Sequence, residues 1–182
     1  MKASAPPALA DGCAAFERFG PDIPASPVIL SIPHAGREYP ADLLARARVS
    51  AAVLQRLEDR YADLLAQPLI ARGHAVVVAR APRAMIDLNR HEREIAPAMV
   101  TGVPRDWPLH SSAKLRGGLG LMPRRLSGVG ELWRRPVGWD EVQAWIAAVH
   151  RPYHAAIAAL MRAAREAHGH AILVDLHSMP PL

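Results

Sequence analysis

An α/β fold with a mainly parallel sheet flanked by helices is predicted by three features of the chain. Pro27-Val28-Ile29-Leu30-Ser31-Ile32 and Ala171-Ile172-Leu173-Val174-Asp175 are apolar runs of strand length, of the kind a parallel sheet buries on both faces. Each run leads two residues later to a histidine, His34 and His177. A third run, Ala75-Val76-Val77-Val78-Ala79-Arg80, follows a helical segment. Strand, helix and strand in that order indicate a right-handed crossover between parallel strands.

Taken in order, residues 1–24 are rich in Ala and Pro, with Phe16 and Phe19 as bulky anchors, and read as an extended, weakly ordered lead-in. Pro33 and Gly36 bracket His34, which suits a tight turn that exposes the imidazole and lets backbone approach a ligand. Residues 41–47 read as a short helix, and Ser50 as the N-cap of a longer one reaching to about Ala71. On it, Val53, Leu54, Leu57, Tyr61, Leu64 and Leu65 share a face, Pro68 kinks or ends the helix, and Gly73 closes the segment. From Pro97 to Gly138 the chain is rich in Gly, Pro and Arg without clean periodicity, a loop long enough to be functional or partly disordered. Asp140 is placed to cap a helix carrying Val142, Trp145, Ile146, Val149, Tyr153, Ile157 and Leu160, bent at Pro152 and stopped at His168-Gly169. The final strand, buried and parallel, then delivers His177 to the carboxyl edge of the sheet.

With 182 residues, 51% of them hydrophobic, the chain is long enough for one folded domain, residues 25–182, and short for two. No apolar run approaches the roughly 18–20 residues that span a bilayer. The first eleven residues lack a secretory pattern, so a cytoplasmic location is the default expectation. Cys13 is the only cysteine, which excludes an intramolecular disulfide and a cysteine-based zinc cluster. The net charge of +5 rests on arginine, since only Lys2 and Lys114 are lysines. Those arginines are scattered and not interleaved with aromatic residues, so a solvated basic surface is expected rather than a nucleic-acid partner.

Two strand-end histidines from distant parts of the chain point to a metal site, although each could equally be a hydrogen-bonded core residue. Catalytic zinc usually has three protein ligands and an open position. The carboxylate could come from Glu38, four residues past His34, or from Asp59 or Asp63 on the first long helix. Asp59 and Asp63 would lie opposite the leucine face, on a surface or on a small-residue face near the site. Asp175 could orient an imidazole or bond to backbone. Arg83, Asp87, Asn89 and Arg90 form a second dense cluster. An amide beside a guanidinium fork suits a substrate carboxylate, and a salt-bridged strand end is the plainer reading. His150 and His154 are i, i+4, also a metal spacing, with Pro152 between them.

On these residues the chain resembles the N-formylglutamate amidohydrolase (N-formylglutamate deformylase) family. The matching stretches are Ser31-Ile32-Pro33-His34-Ala35-Gly36, Arg83 through Asp87-Leu88-Asn89-Arg90, Arg151-Pro152-Tyr153-His154 and Asp175-Leu176-His177-Ser178. They occur in the family's order and cover residues 27–180. The resemblance implies a three-layer, zinc-carboxypeptidase-like (phosphorylase/hydrolase-like) fold. It also implies zinc-dependent hydrolysis of an N-formyl or N-acyl amino acid, most simply N-formyl-L-glutamate to formate and L-glutamate, a reaction of histidine degradation. Asp59 becomes the best match for the third zinc ligand beside His34 and His177. Asn89 and Arg90 would hold the α-carboxylate, Arg83 would polarise the scissile carbonyl, and His154 with Tyr153 would line the pocket or donate a proton. Family chains usually continue past Asp-Leu-His-Ser into a part that carries a glutamate general base, and this sequence stops at Leu182. The expected partner is a small-molecule N-acyl amino acid, with neither nucleic acid nor membrane. The alternatives are a member that binds metal or a carboxylate ligand without turnover, and a polyanion binder. Nothing in the sequence indicates an oligomeric state.

Overall fold

The computed structural model describes residues 14–178. Cys13 and most of the expected lead-in lie outside them. In chain order the elements are β1 (Phe16–Phe19), β2 (Val28–Ile32), α1 (Ala41–Arg46), α2 (Ala51–Leu54) with a 3₁₀ turn at Gln55–Leu57, α3 (Ala62–Ala71) and β3 (Ala75–Ala79). An irregular region follows with β4 (Val100–Thr101), α4 (Ala113–Arg116), β5 (Arg125–Leu126), β6 (Gly130–Glu131) and β7 (Val137–Gly138). The chain closes with α5 (Trp139–Trp145), a π-turn at Ile146–His150, α6 (Arg151–His168) and β8 (Ile172–Asp175).

Four strands form a mixed sheet in the order β1-β3-β2-β8, in which β2 pairs in parallel with both β3 and β8. Successive side chains on a strand point to opposite faces, and the packing follows that alternation. Ile29 and Val77 join Tyr153, Ile157, Leu160 and Ala164 of α6 in the larger core. Leu30, Ile32, Val76 and Val78 pack on the other side against Ala62 and Ala66 of α3. Helices therefore cover both faces. The carboxyl ends of β2, β3 and β8 come out at one edge, where His34, the segment after Ala81, and His177 follow.

The structure departs from expectation in five places. Phe16–Phe19 is a strand, antiparallel to β3, and Phe16 meets the Tyr153 ring edge-on at 5.7 Å. Its two phenylalanines are three residues apart, which hides the strand's period of two.

The long helix expected from Ser50 to Ala71 is broken. Glu58 is extended and Tyr61 is left-handed, at φ 69°. The buried Glu58 carboxylate accepts from Tyr39 Oη (2.7 Å) and Arg60 Nε (3.1 Å), and the Asp59 amide donates to the His34 carbonyl (2.9 Å). These contacts hold residues 58–61 out of the helix, so Tyr61, Leu64 and Leu65 face solvent instead of the core. α3 runs through Pro68 to Ala71.

The third departure is β8, which is exposed along its length; Ile172, Leu173 and Val174 are 48%, 40% and 40% accessible. It is the outer strand of the sheet, with no neighbour on its far side among the described residues. Fourth, the last helical segment starts at Trp139 with Gly138 as its N-cap, so Asp140 falls in the first turn rather than capping it.

Fifth, Gly36 serves packing against the neighbouring chain rather than ligand access. A Cβ there would lie 1.9 Å from the Ala81 carbonyl oxygen and 2.7 Å from that of Arg80. Those are main-chain atoms that cannot swing aside. Gly36→Ala is expected to destabilise the protein by about 3 kcal/mol, at the upper end of overpacking costs, read as a lower urea midpoint with unchanged slope.

Candidate metal centre

His34 leaves β2 through the expected turn, which buries the imidazole instead of exposing it: the residue is 2% exposed. Its Nε2 lies 2.7 Å from Asp87 Oδ1, which fixes the ring orientation. Its Nδ1 is buried with no hydrogen-bond partner among the described residues, and faces Asp59 Oδ2 at 3.4 Å. The same Asp59 oxygen lies 2.7 Å from His177 Nδ1. The helix break makes this meeting possible, because the Asp59 main chain is tied to the His34 carbonyl. His34, Asp59 and His177 thus offer three ligand atoms all within 4.8 Å of one another, a set that could hold a metal ion. Two imidazole nitrogens and one carboxylate oxygen form a donor set that suits Zn²⁺. An orphaned, buried His Nδ1 aimed at the other two donors fits a cation there.

Electrostatics follow the geometry. Burial alone would lower the His34 pKa, but the Asp59 and Asp87 carboxylates outweigh it and the net direction is upward. Burial pushes Asp59 up, and the two imidazoles facing it more than reverse that, leaving the carboxyl below its usual range.

Asp87, fully buried, is the hub beneath His34. It accepts from His34 Nε2, from Arg83 Nε (2.9 Å) and from the Asn89 amide (2.9 Å), while Arg90 Nε stands 3.8 Å away. Burial opposes its ionisation, yet these donors hold its pKa at about 2. Because that lies below the ordinary carboxylate value, its stabilisation is present above about pH 4 and disappears as pH falls through 2. The expected loss is about 2 kcal/mol, measured as the fall in urea midpoint between pH 5 and 2. Asp87→Asn should flatten that limb.

The sequence reading placed Asp87 in a carboxylate-binding or salt-bridged cluster; the structure makes it the partner that orients the histidine. Asp175, the other candidate for orienting an imidazole, makes no side-chain hydrogen bond among the described residues and lies on the exposed β8. Glu38 is outside the cluster, and Asp63 pairs with Arg37 at 2.7 Å. Arg83 sits beside the site with Nε on Asp87 and a terminal nitrogen 3.4 Å from the Leu57 carbonyl. Asn89 Nδ2 is 3.2 Å from His177 Nε2. Asn89, Arg90, His150 and His154 line a cleft of about 590 Å³. Tyr153 does not reach it. It is 1% exposed, and its hydroxyl bonds to Ser31 Oγ at 2.9 Å.

The family model for N-formylglutamate amidohydrolase matches residues 26–182. The chain belongs to this family. Among solved structures, it is similar to an N-formylglutamate amidohydrolase from Ralstonia eutropha JMP134, with 34% identity and a TM-score of 0.82 over 91% of this chain and 58% of that one. A gene product of Agrobacterium tumefaciens shares the fold at 21% identity, with a TM-score of 0.64 over 92% of this chain and 57% of that one. The chain thus spans less than two thirds of the length of either. No curated protein matches it. No helix among the described residues is long and apolar enough to cross a membrane.

Proposed function

We propose that this amidohydrolase-family chain hydrolyses an N-formyl or N-acyl amino acid with zinc bound, most simply N-formyl-L-glutamate to formate and L-glutamate. The reading places the fold among the zinc-carboxypeptidase-like hydrolases. The observation that carries it is the convergence of the orphaned His34 Nδ1, Asp59 Oδ2 and His177 Nδ1 beside the Arg83–Arg90 cluster.

His34, Asp59 and His177 would hold Zn²⁺. A bound zinc supplies a Lewis acid and a water whose pKa falls toward 7. For His177 Nδ1 to act as a ligand, its proton must sit on Nε2, the nitrogen that faces Asn89. A turn of the Asn89 amide presents its carbonyl oxygen to accept that proton. Asp87 supports His34 as a metal-ligating histidine is usually supported, by a carboxylate on the other ring nitrogen. Arg83, braced by Asp87, keeps guanidinium hydrogens for the oxygen that gains negative charge as the formyl carbon is attacked. Asn89 and Arg90 hold the α-carboxylate by amide and fork. Water adds to the formyl carbon, the C–N bond breaks, and the amine leaves with a proton.

Among the described residues no glutamate faces the three ligands. Glu58 is held by Tyr39 and Arg60, and Glu94 accepts from Ser112. The second reading is a protein that binds zinc and the carboxylate ligand without turnover. Formate release from N-formyl-L-glutamate, with added zinc and with chelator, separates the two. Zinc-dependent release supports hydrolysis. Stoichiometric zinc and ligand binding without formate supports the second reading.

A further inference from the structure

The histidine pair at the start of α6 stands outside the metal ligands, yet it is built onto the loop that carries Asn89. His150 Nε2 lies 2.8 Å from the Arg90 carbonyl oxygen and His154 Nε2 lies 3.0 Å from that of Leu88. A carbonyl only accepts, so both rings carry their proton on Nε2 and donate it. No main-chain amide among the described residues reaches either carbonyl. The two rings lie 4.5 Å apart, centre to centre. Burial lowers the pKa of both, which keeps them in the neutral form near pH 7.

The first of the pair, His150, is the last residue of the π-turn, where the Arg151 amide bonds to the Ile146 carbonyl instead of that of Ala147. Such turns recur at functional positions because the extra residue re-aims the side chains that follow. One residue away, Tyr153 anchors the same turn of helix to Ser31 of β2. A single helical turn is thereby tied to the strand that leads to His34 and to the loop that ends in Arg90.

We propose that His150 and His154 are positioning residues: a two-point clamp on the carbonyls either side of Asn89, which sets where the Asn89 amide meets His177 and where Arg90 presents its fork. The clamp rests on the reading of Asn89 and Arg90 as carboxylate-binding groups. Its function is to hold in place the groups that would take the substrate carboxylate.

The test is calorimetric binding of N-formyl-L-glutamate to the zinc-loaded chain, alongside zinc titration. His150→Leu and His154→Leu should each weaken ligand binding about tenfold, the scale of one buried carbonyl left unpaired, while zinc affinity, which feels the loop only through Asn89 beside His177, falls by less. His154→Gln, whose amide nitrogen reaches as far as Nε2, should restore most of the affinity; His154→Asn, which is too short, should not. Long-range ¹⁵N–¹H spectra of the metal-free protein should show both rings as Nε2–H tautomers, a readout that survives if the leucine variants fold poorly. Leucine variants that bind as tightly as wild type, or glutamine variants as weak as leucine, would overturn the clamp alone. Wild-type protein that takes up zinc but binds no N-formyl-L-glutamate would overturn the substrate reading, and the clamp's purpose with it.

Discussion

Asp87→Ala is expected to destabilise the protein by about 3–5 kcal/mol, the cost of removing one partner from a buried charged network. Asp87 is fully buried, and three donors converge on it: the His34 imidazole, the Arg83 guanidinium and the Asn89 amide. Alanine would leave all three facing an apolar gap, the guanidinium with a charge it cannot shed. Against a typical total stability of about 5–15 kcal/mol, a loss of this size brings many domains close to unfolding at 37 °C. Asp87→Asn keeps one acceptor oxygen but turns an amide against a donor, so it should fall between wild type and alanine. Where the variants remain folded, zinc affinity should drop about 10–100-fold, since the group that orients a metal-ligating histidine has gone. Urea unfolding and zinc titration of the same samples separate the two effects. An Asp87→Ala protein as stable as wild type would remove the hub from this account.

His177→Ala should behave in the opposite way. His177 is about a third exposed and sits past the end of the outer strand, so little packing depends on it. The fold should keep its melting temperature to within a few degrees. Zinc affinity should fall by more than about 100-fold, beyond the usual effect of losing a supporting group, if His177 is the ligand proposed above. Any zinc-dependent formate release should fall to the chelated background. A variant that retains both zinc and hydrolysis would place the metal elsewhere.

The strand-end histidines were legible as a pair, because two apolar runs that each end on a His bring both imidazoles to one edge of a parallel sheet, although either His alone reads equally as a core residue. β2 begins and ends where the apolar run predicts, and β3 differs only by leaving out Arg80. Asp59 was far less legible. Helical periodicity through residues 51–71 was strong enough to suggest one helix, and the contacts that break it, Glu58 with Tyr39 and Asp59 with His34, join residues 19 and 25 apart. Local pattern cannot register such pairings, and only the family resemblance raised Asp59 over Glu38. The pairing of Asp87 with an arginine was legible and holds, at 2.9 Å from Arg83, but its contact with His34 was not, because that residue lies 53 positions away. The burial expected for β8 failed for a related reason. An apolar run reports that a strand belongs in a sheet, not whether a neighbour lies on its far side. The segment from Pro97 to Gly138 carries only two-residue strands and one helical turn, too short for any periodicity to appear.

Crystals of the zinc-loaded chain, measured on both sides of the zinc absorption edge, test the central claim most directly. A single strong anomalous peak is expected, bounded by His34 Nδ1, Asp59 Oδ2 and His177 Nδ1, at ligand distances of about 2.0–2.2 Å. His34 Nε2 is expected to remain on Asp87. A peak elsewhere, or zinc bound through the Nε2 atoms with Asp59 left out, would contradict it.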